Sequence, residues 1–267
     1  MNVALLIQTC RFQRVRLALV CAALAIWGGV MPFVYARFGS QFRALAQSGM
    51  IPEQMARFGG GDIFSLPGVM ALALIHPIAI SLVAVFAVGF SSSAVAGERQ
   101  RGTLEVVLAR PIARRAVYAT LAIAAFAFVM AAVTSLLAGN LVGAEWAGVM
   151  SELPIARVPV LWLNAVLLFG AFAAIGLAAS VSFDRLPPAF GLTLGVVLVM
   201  YVFDVLGSLW PAAEPLQPFS FFHYLKAKAV LAGAASPSDF LVLSAAMAAA
   251  VVWALVVFPR RDLAAPS

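Results

Sequence analysis

LALVCAALAIWGGVMPFVYA, residues 17–36, carries no charged side chain and lies between Arg16 and Arg37. Twenty such residues in a helix span about 30 Å, the thickness of bilayer hydrocarbon. The whole chain has the same apolar character. Of 267 residues, 64% are hydrophobic and 10% charged, and the mean hydropathy is +1.03. Soluble domains carry about 25% charged residues, so this composition cannot cover a water-facing surface. It excludes a soluble enzyme, and equally a disordered chain, which needs low hydrophobicity. Long unbroken apolar runs also exclude an outer-membrane barrel, whose strands alternate.

Gaps between charges predict five further spans, near 71–96, 117–139, 158–182, 188–210 and 240–259. The second contains His76-Pro77, and a proline there either kinks the helix or marks its real start. The expected fold is an all-α polytopic membrane protein of six transmembrane helices in a single domain over 1–267. Residues 2–16 predict a short N-terminal interfacial helix, because Val3, Leu6, Ile7 and Cys10 share a face, which Arg14 interrupts. The first apolar run is longer than a signal-peptide core and has no convincing small-residue cleavage site before Pro32.

Six spans put both termini on one side. With that side cytoplasmic, eleven basic residues lie inside (Arg11, Arg14, Arg16, Arg99, Arg101, Arg110, Arg114, Arg115, Arg185, Arg260 and Arg261) and six outside (Arg37, Arg43, Arg57, Arg157, Lys226 and Lys228). The positive-inside rule therefore favours cytoplasmic termini, against the three arginines of the Arg37–Asp62 loop. The net charge of +6 reads as topology, and no nucleic-acid partner is expected. Arginine supplies 15 of the 17 basic residues; with the abundant alanine this reads as bacterial coding bias and hence a bacterial inner membrane. Cys10 and Cys21 form neither a metal cage nor a disulfide framework.

The longest loop on the cytoplasmic side is GERQRGTLEVVLARPIARR, residues 97–115. Thr103 is a candidate N-cap after Gly102. Leu104, Val107 and Leu108 line one face of a short helix that Pro111 stops. Glu98, Arg99, Arg101, Glu105 and Arg110 surround that stripe. Such an element suits docking on a cytoplasmic partner, and equally a helix lying on lipid, held by Arg110, Arg114 and Arg115.

This loop resembles the signature of ABC-2-type transporter permeases, close to E-x-E-R-G-T-L-E-x-L-L-x-x-P-x-x-R, through Glu98, Arg101, Gly102, Thr103, Leu104, Glu105, Leu108, Pro111 and Arg114. QPFSFFHYL (217–225) is similar to that family's S-P-F-x-Y-like external segment, and FPRRDL (258–263) to its closing F-x-R-R-D-L. The resemblance covers essentially the whole chain and implies a fold like that of the type V exporters. It makes the 97–115 loop a cytoplasmic coupling helix between helices 2 and 3. Glu98, Arg101, Thr103, Leu104, Glu105 and Leu108, with Arg110, become contacts to an ABC ATPase subunit. It makes Asp184–Pro187 a secondary contact and 2–16 the family's connecting helix. It further implies a second permease copy or paralogue and two ATPases. The sequence has no G-x-x-x-x-G-K-[ST] loop, so no catalysis is expected of this chain. ATP and Mg belong to the partner, with no cofactor here.

Inside the membrane, Asp204 is the one acidic residue well within a span, roughly 9 Å from the outer helix end. Such a carboxylate faces a wet cavity or the bundle interior, or bonds the 210s loop or Lys226 near the headgroups. His76 either caps the kinked backbone or binds a ligand. Phe219, Phe221, Phe222, Tyr224 and Trp210 form an outer aromatic cluster, an anchor or an exit gate; Phe221 and Phe222 join the substrate-path candidates. Gly191-x-x-x-Gly195 predicts close helix approach, within the subunit or between copies.

Six spans with serines and histidines raise an intramembrane protease. GFSSSA (89–94) has no glycine after the serine, and His223 lies near the opposite face, so no nucleophile–base pair forms. Two readings remain. One is an exporter of an amphiphile such as a lipid or drug. The other is a non-transporting scaffold coupling ATPase strokes to a periplasmic protein, since related permeases serve polysaccharide export and copper-enzyme maturation.

Overall fold

The computed structural model describes residues 2–48, 65–104 and 112–261. Among these residues the chain is helical, without strands. The helices are α1 (Val3–Gln47), α2 (Leu66–Ile75), α3 (Pro77–Ser93), α4 (Ala96–Gln100), α5 (Arg114–Trp146), α6 (Val158–Ser182), α7 (Leu186–Leu209), α8 (Ala227–Leu231) and α9 (Pro237–Arg260). Five are each long and apolar enough to cross a membrane, and the bent pair α2–α3, counted as one span, makes six. The protein is an all-α multi-pass membrane protein.

Residues 2–16 are not a separate interfacial helix. They are the first turns of α1, whose 45 residues run unbroken. No glycine or proline occurs between Asn2 and Trp27, so nothing stops propagation of the helix. At about 1.5 Å per residue α1 is roughly 68 Å long, about twice the hydrocarbon thickness. The α1 N-terminus is tied to α5 where the Asn2 amide donates to Thr120 Oγ1 at 2.9 Å.

The second crossing starts at Leu66, capped by Ser65, whose hydroxyl accepts from Gly68 N at 3.2 Å. It breaks at His76 with a bend of 45°, because Pro77 disfavours helical backbone in the residue before it. His76 Nδ1 accepts from Ile78 N at 3.3 Å, so the imidazole caps α3. Its ring rests on Trp27 at 4.6 Å, while Trp27 Nε1 donates to Ala73 O at 3.1 Å. The break is thereby held against α1.

Farther along α3, Val85–Phe90 forms a π-helical turn, which leaves wide-turn carbonyls to be satisfied. Ser91 Oγ donates to Phe86 O at 3.1 Å and does so fully buried.

α6 is buried along most of its length and forms the centre of the bundle, with α5, α7 and α9 around it. α7 and α9 keep apolar side chains exposed, among them Leu198, Val199 and Val202 on α7 and Leu241, Val252 and Trp253 on α9. These faces suit lipid rather than water.

α1 and α5 meet backbone to backbone through Gly28 and Gly29 on one side and Gly139 and Gly143 on the other. A Cβ at Gly139 would lie 2.1 Å from Ala25 O, and one at Gly143 2.3 Å from Gly29 O. The G-x-x-x-G that packs helices inside this chain is therefore Gly139–Gly143. Gly191 and Gly195, expected to seat a neighbouring helix, have nothing within 4 Å of their would-be Cβ atoms. Both face away from the bundle.

Candidate functional site

Two polar centres stand out, one at each end of the bundle. The terminal end gathers the start of α1, residues 94–104, the α6–α7 turn and the end of α9. The far end gathers the end of α7, residues 211–226 and the start of α9.

At the terminal end, Ser180 of α6 is fully buried, and its Oγ accepts from Val95 N and Ala96 N, both at 2.9 Å. These are the orphan amides that open α4, so a side chain from a distant helix serves as its cap. Ser92 Oγ donates to Thr193 Oγ1 at 3.2 Å, and Thr193 Oγ1 donates to Ala189 O at 2.8 Å. Gly176 lets α3, α6 and α7 cross here, since a Cβ would meet Ser91 Cβ at 2.9 Å and Thr193 Cγ2 at 3.3 Å. Ser180→Ala strands two buried amides, at about 1–3 kcal/mol for each unsatisfied group. We expect thermal unfolding in detergent to report about 2 kcal/mol or more of destabilisation. An unchanged midpoint would show that the amides find other acceptors.

α4 closes at Gly102, whose φ of +71° is left-handed and favours glycine. Beyond that backbone sits a charged net. Asp184, in the α6–α7 turn, accepts from Arg99 Nη1 at 2.6 Å and also pairs with Arg261. Arg261 Nη1 donates to Val181 O at 3.0 Å. Arg114 Nη1, at the start of α5, donates to Arg261 O at 2.7 Å. The Leu186 amide donates to Gln100 Oε1 at 2.9 Å. Residues 99–100 thus touch the α6–α7 turn directly and reach α5 and α9 through Arg261.

The expected partner contacts divide. Glu98 is half-buried and pairs with Arg101, and the Thr103 hydroxyl donates to the Glu98 carbonyl at 3.1 Å and to its carboxylate. Thr103, proposed as a cap for the next helix, thereby bonds backwards into α4. Arg101 and Thr103 are exposed, whereas Leu104 is 3% exposed and packs in the core. Leu104 makes its contact with the chain's own interior because Val117 and Leu121 of α5 wall the same cleft. That cleft, about 230 Å³, lies between α1 and residues 90–104 and is bordered by Gln8, Phe12, Glu98 and Arg101. Glu105, Leu108 and Arg110 lie outside the described residues.

At the far end, Asp204 projects toward a cavity of about 250 Å³ shared with Ser208, Gln217, His223, Lys226 and Lys228. Its main-chain carbonyl accepts from Ser208 Oγ at 2.8 Å and Gln217 Nε2 at 3.3 Å. Its carboxylate makes no hydrogen bond or ion pair among the described residues. Lys226, a suggested partner for it, bonds Asp239 at 3.2 Å instead. Burial, reinforced by Lys226 and opposed by Asp239, holds His223 below the usual imidazole range.

The aromatic cluster is split. Phe219 and Trp210 are exposed. Phe222 is buried, its ring centroid 5.4 Å from Phe172 and 5.6 Å from Tyr201, and Phe221 meets Phe172 at 5.6 Å. Phe221 and Phe222 therefore pack against the middle of α6. His76 is occupied by its capping bond and by Trp27.

A feature that no sequence motif announced is an apolar cleft of about 370 Å³ between α5, α6 and α9, bordered by Phe126, Met130, Gly170, Leu177, Met247 and Val251. Among the described residues no group of three His, Cys, Asp or Glu side chains could hold a metal ion.

No curated protein shows significant similarity to the chain. The family model described as ABC-2 family transporter protein matches residues 14–263, nearly the full length. With its apolar spans and bent second crossing, the chain belongs to the ABC-2 family of transporter proteins, as a multi-pass permease component.

Proposed function

We propose that this permease subunit, whose family implies an ABC ATPase partner, exports an amphiphile from the bacterial cytoplasm. In this reading the terminal end is cytoplasmic and the far end periplasmic. Two permease copies pair with two ATPases, which hold ATP and Mg. The ATPase docks on the 97–111 loop through Glu98, Arg101, Thr103, Glu105, Leu108 and Arg110.

The observation that carries the proposal is the net centred on Asp184. A push on residues 98–101 reaches α6 and α7 through Arg99, Gln100 and Ser180, and α5 and α9 through Arg261. One ATPase stroke would thus move several spans together. The apolar cleft between α5, α6 and α9 supports an amphiphilic cargo, since its lining is greasy.

The test is co-purification of the tagged full-length chain with its ATPase, followed by reconstitution in proteoliposomes. Added ATP should move a fluorescent phospholipid between leaflets. ATP hydrolysis without movement of any amphiphile would overturn export and favour mechanical coupling to a periplasmic partner.

A further inference from the structure

The far-end cavity has a charge arrangement that the export reading leaves unused. Lys226 and Asp239 neutralise one another at 3.2 Å. Burial, reinforced by Lys226, holds His223 below the usual imidazole range and so disfavours its charged form. What remains lining the cavity is one carboxylate, Asp204, and one ammonium-bearing side chain, Lys228, neither with an ion-pair partner among the described residues. Lys226 and Lys228 are the only lysines in the chain, so a lysine at this position is not part of a general basic surface. Ser208 and Gln217 add hydroxyl and amide groups to the same wall, and Ile75, Phe222 and Leu225 its apolar part. Pockets for whole drug-sized ligands run about 300–1,000 Å³. At about 250 Å³ this one suits a head group whose tails lie elsewhere.

We propose that this cavity is a zwitterion site, in which Asp204 binds a primary ammonium and Lys228 a phosphate of a phosphoethanolamine-type head group. A primary ammonium supplies N–H donors to the carboxylate, which a quaternary ammonium lacks. An ammonium-free anionic head group leaves Asp204 facing negative charge. The proposal deepens the amphiphile reading by assigning a head-group class to the far end, and it rests on that reading for its place in transport. Its binding test does not.

The full-length protein, purified in detergent, is titrated with phosphatidylethanolamine, phosphatidylcholine and phosphatidylglycerol of identical tails, and bound lipid is counted by native mass spectrometry. Phosphatidylethanolamine should bind at least about tenfold more tightly than either other lipid, equivalent to about 1.4 kcal/mol. Asp204→Asn should abolish that preference, and Lys228→Gln should weaken all three lipids. Competition by soluble phosphoethanolamine would show that the head group suffices. Its failure, with the lipid preference intact, would assign the site to the membrane lipid. Equal binding of the three lipids, or a preference that survives Asp204→Asn, overturns the proposal. Selective binding with ATP hydrolysis but no movement of any amphiphile would leave the site standing and overturn export.

Discussion

Gly139→Leu is expected to abolish recovery of a monodisperse folded protein after detergent extraction. A Cβ at this position would sit 2.1 Å from Ala25 O and 2.8 Å from Ala25 C and Cα. These are backbone atoms, so no rotamer change in α1 relieves the clash, and the two helices must separate. Overpacking a core costs about 1–3 kcal/mol when side chains can adjust. Here the contact between α1 and α5 itself is lost, so the effect should reach or exceed the top of that range. Gly191→Leu is the matched control, because a Cβ there meets nothing within 4 Å. Size-exclusion profiles and unfolding midpoints of the two variants provide the comparison. Equal behaviour would mean that α1 does not rest on α5 as described.

Asp184→Arg is expected to lower ATP-driven transport at least about tenfold while the protein stays folded and bound to its ATPase. The carboxylate is 51% exposed, and exposed ion pairs contribute little to stability, about 0–1 kcal/mol. Its importance is as a joint, since Arg99 lies within the docking loop and Arg261 directly follows the last residue of α9. Reversing the charge sets three guanidinium groups at one point and opens the link between the loop and the α6–α7 turn. Asp184→Asn should have a smaller effect, because its amide oxygen still accepts a hydrogen bond. Measuring ATP hydrolysis beside substrate movement distinguishes uncoupling from failed assembly. Normal coupling in Asp184→Arg would remove the joint from the transport pathway.

The legible part of this protein was the part that local chemistry controls. Charge spacing located the crossings, since a charged side chain is costly in hydrocarbon wherever it falls. Pro77 announced the break in the second crossing, because its ring acts on the adjacent residue whatever the surroundings. Residues 98–114, followed in order by 217–225 and 258–263, announced the family. The extent of α1 is less legible in the sequence, for a related reason. The imperfect amphipathic face of residues 2–16 suggested an independent element, yet nothing in the local backbone ends the helix there.

Other features depend on which helices become neighbours. Gly139–Gly143 and Gly191–Gly195 have the same spacing, but only the first pair meets another backbone. Phe219 and Phe222 are three residues apart in one aromatic run, and one faces outward while the other is buried. Ser180 is a small polar residue in an apolar span, and the packing of α6 sets it beneath the opening of α4.

The sequence by itself determined that the chain crosses a membrane, roughly where, and to which family it belongs, because transfer into hydrocarbon and proline sterics act residue by residue. Only the tertiary structure decided which glycines carry a helix contact, that Asp184 joins Arg99 to Arg261, and that Asp204 and Lys228 face one cavity. Those facts arise from residues distant in the chain being brought together, and no local property of either partner contains them.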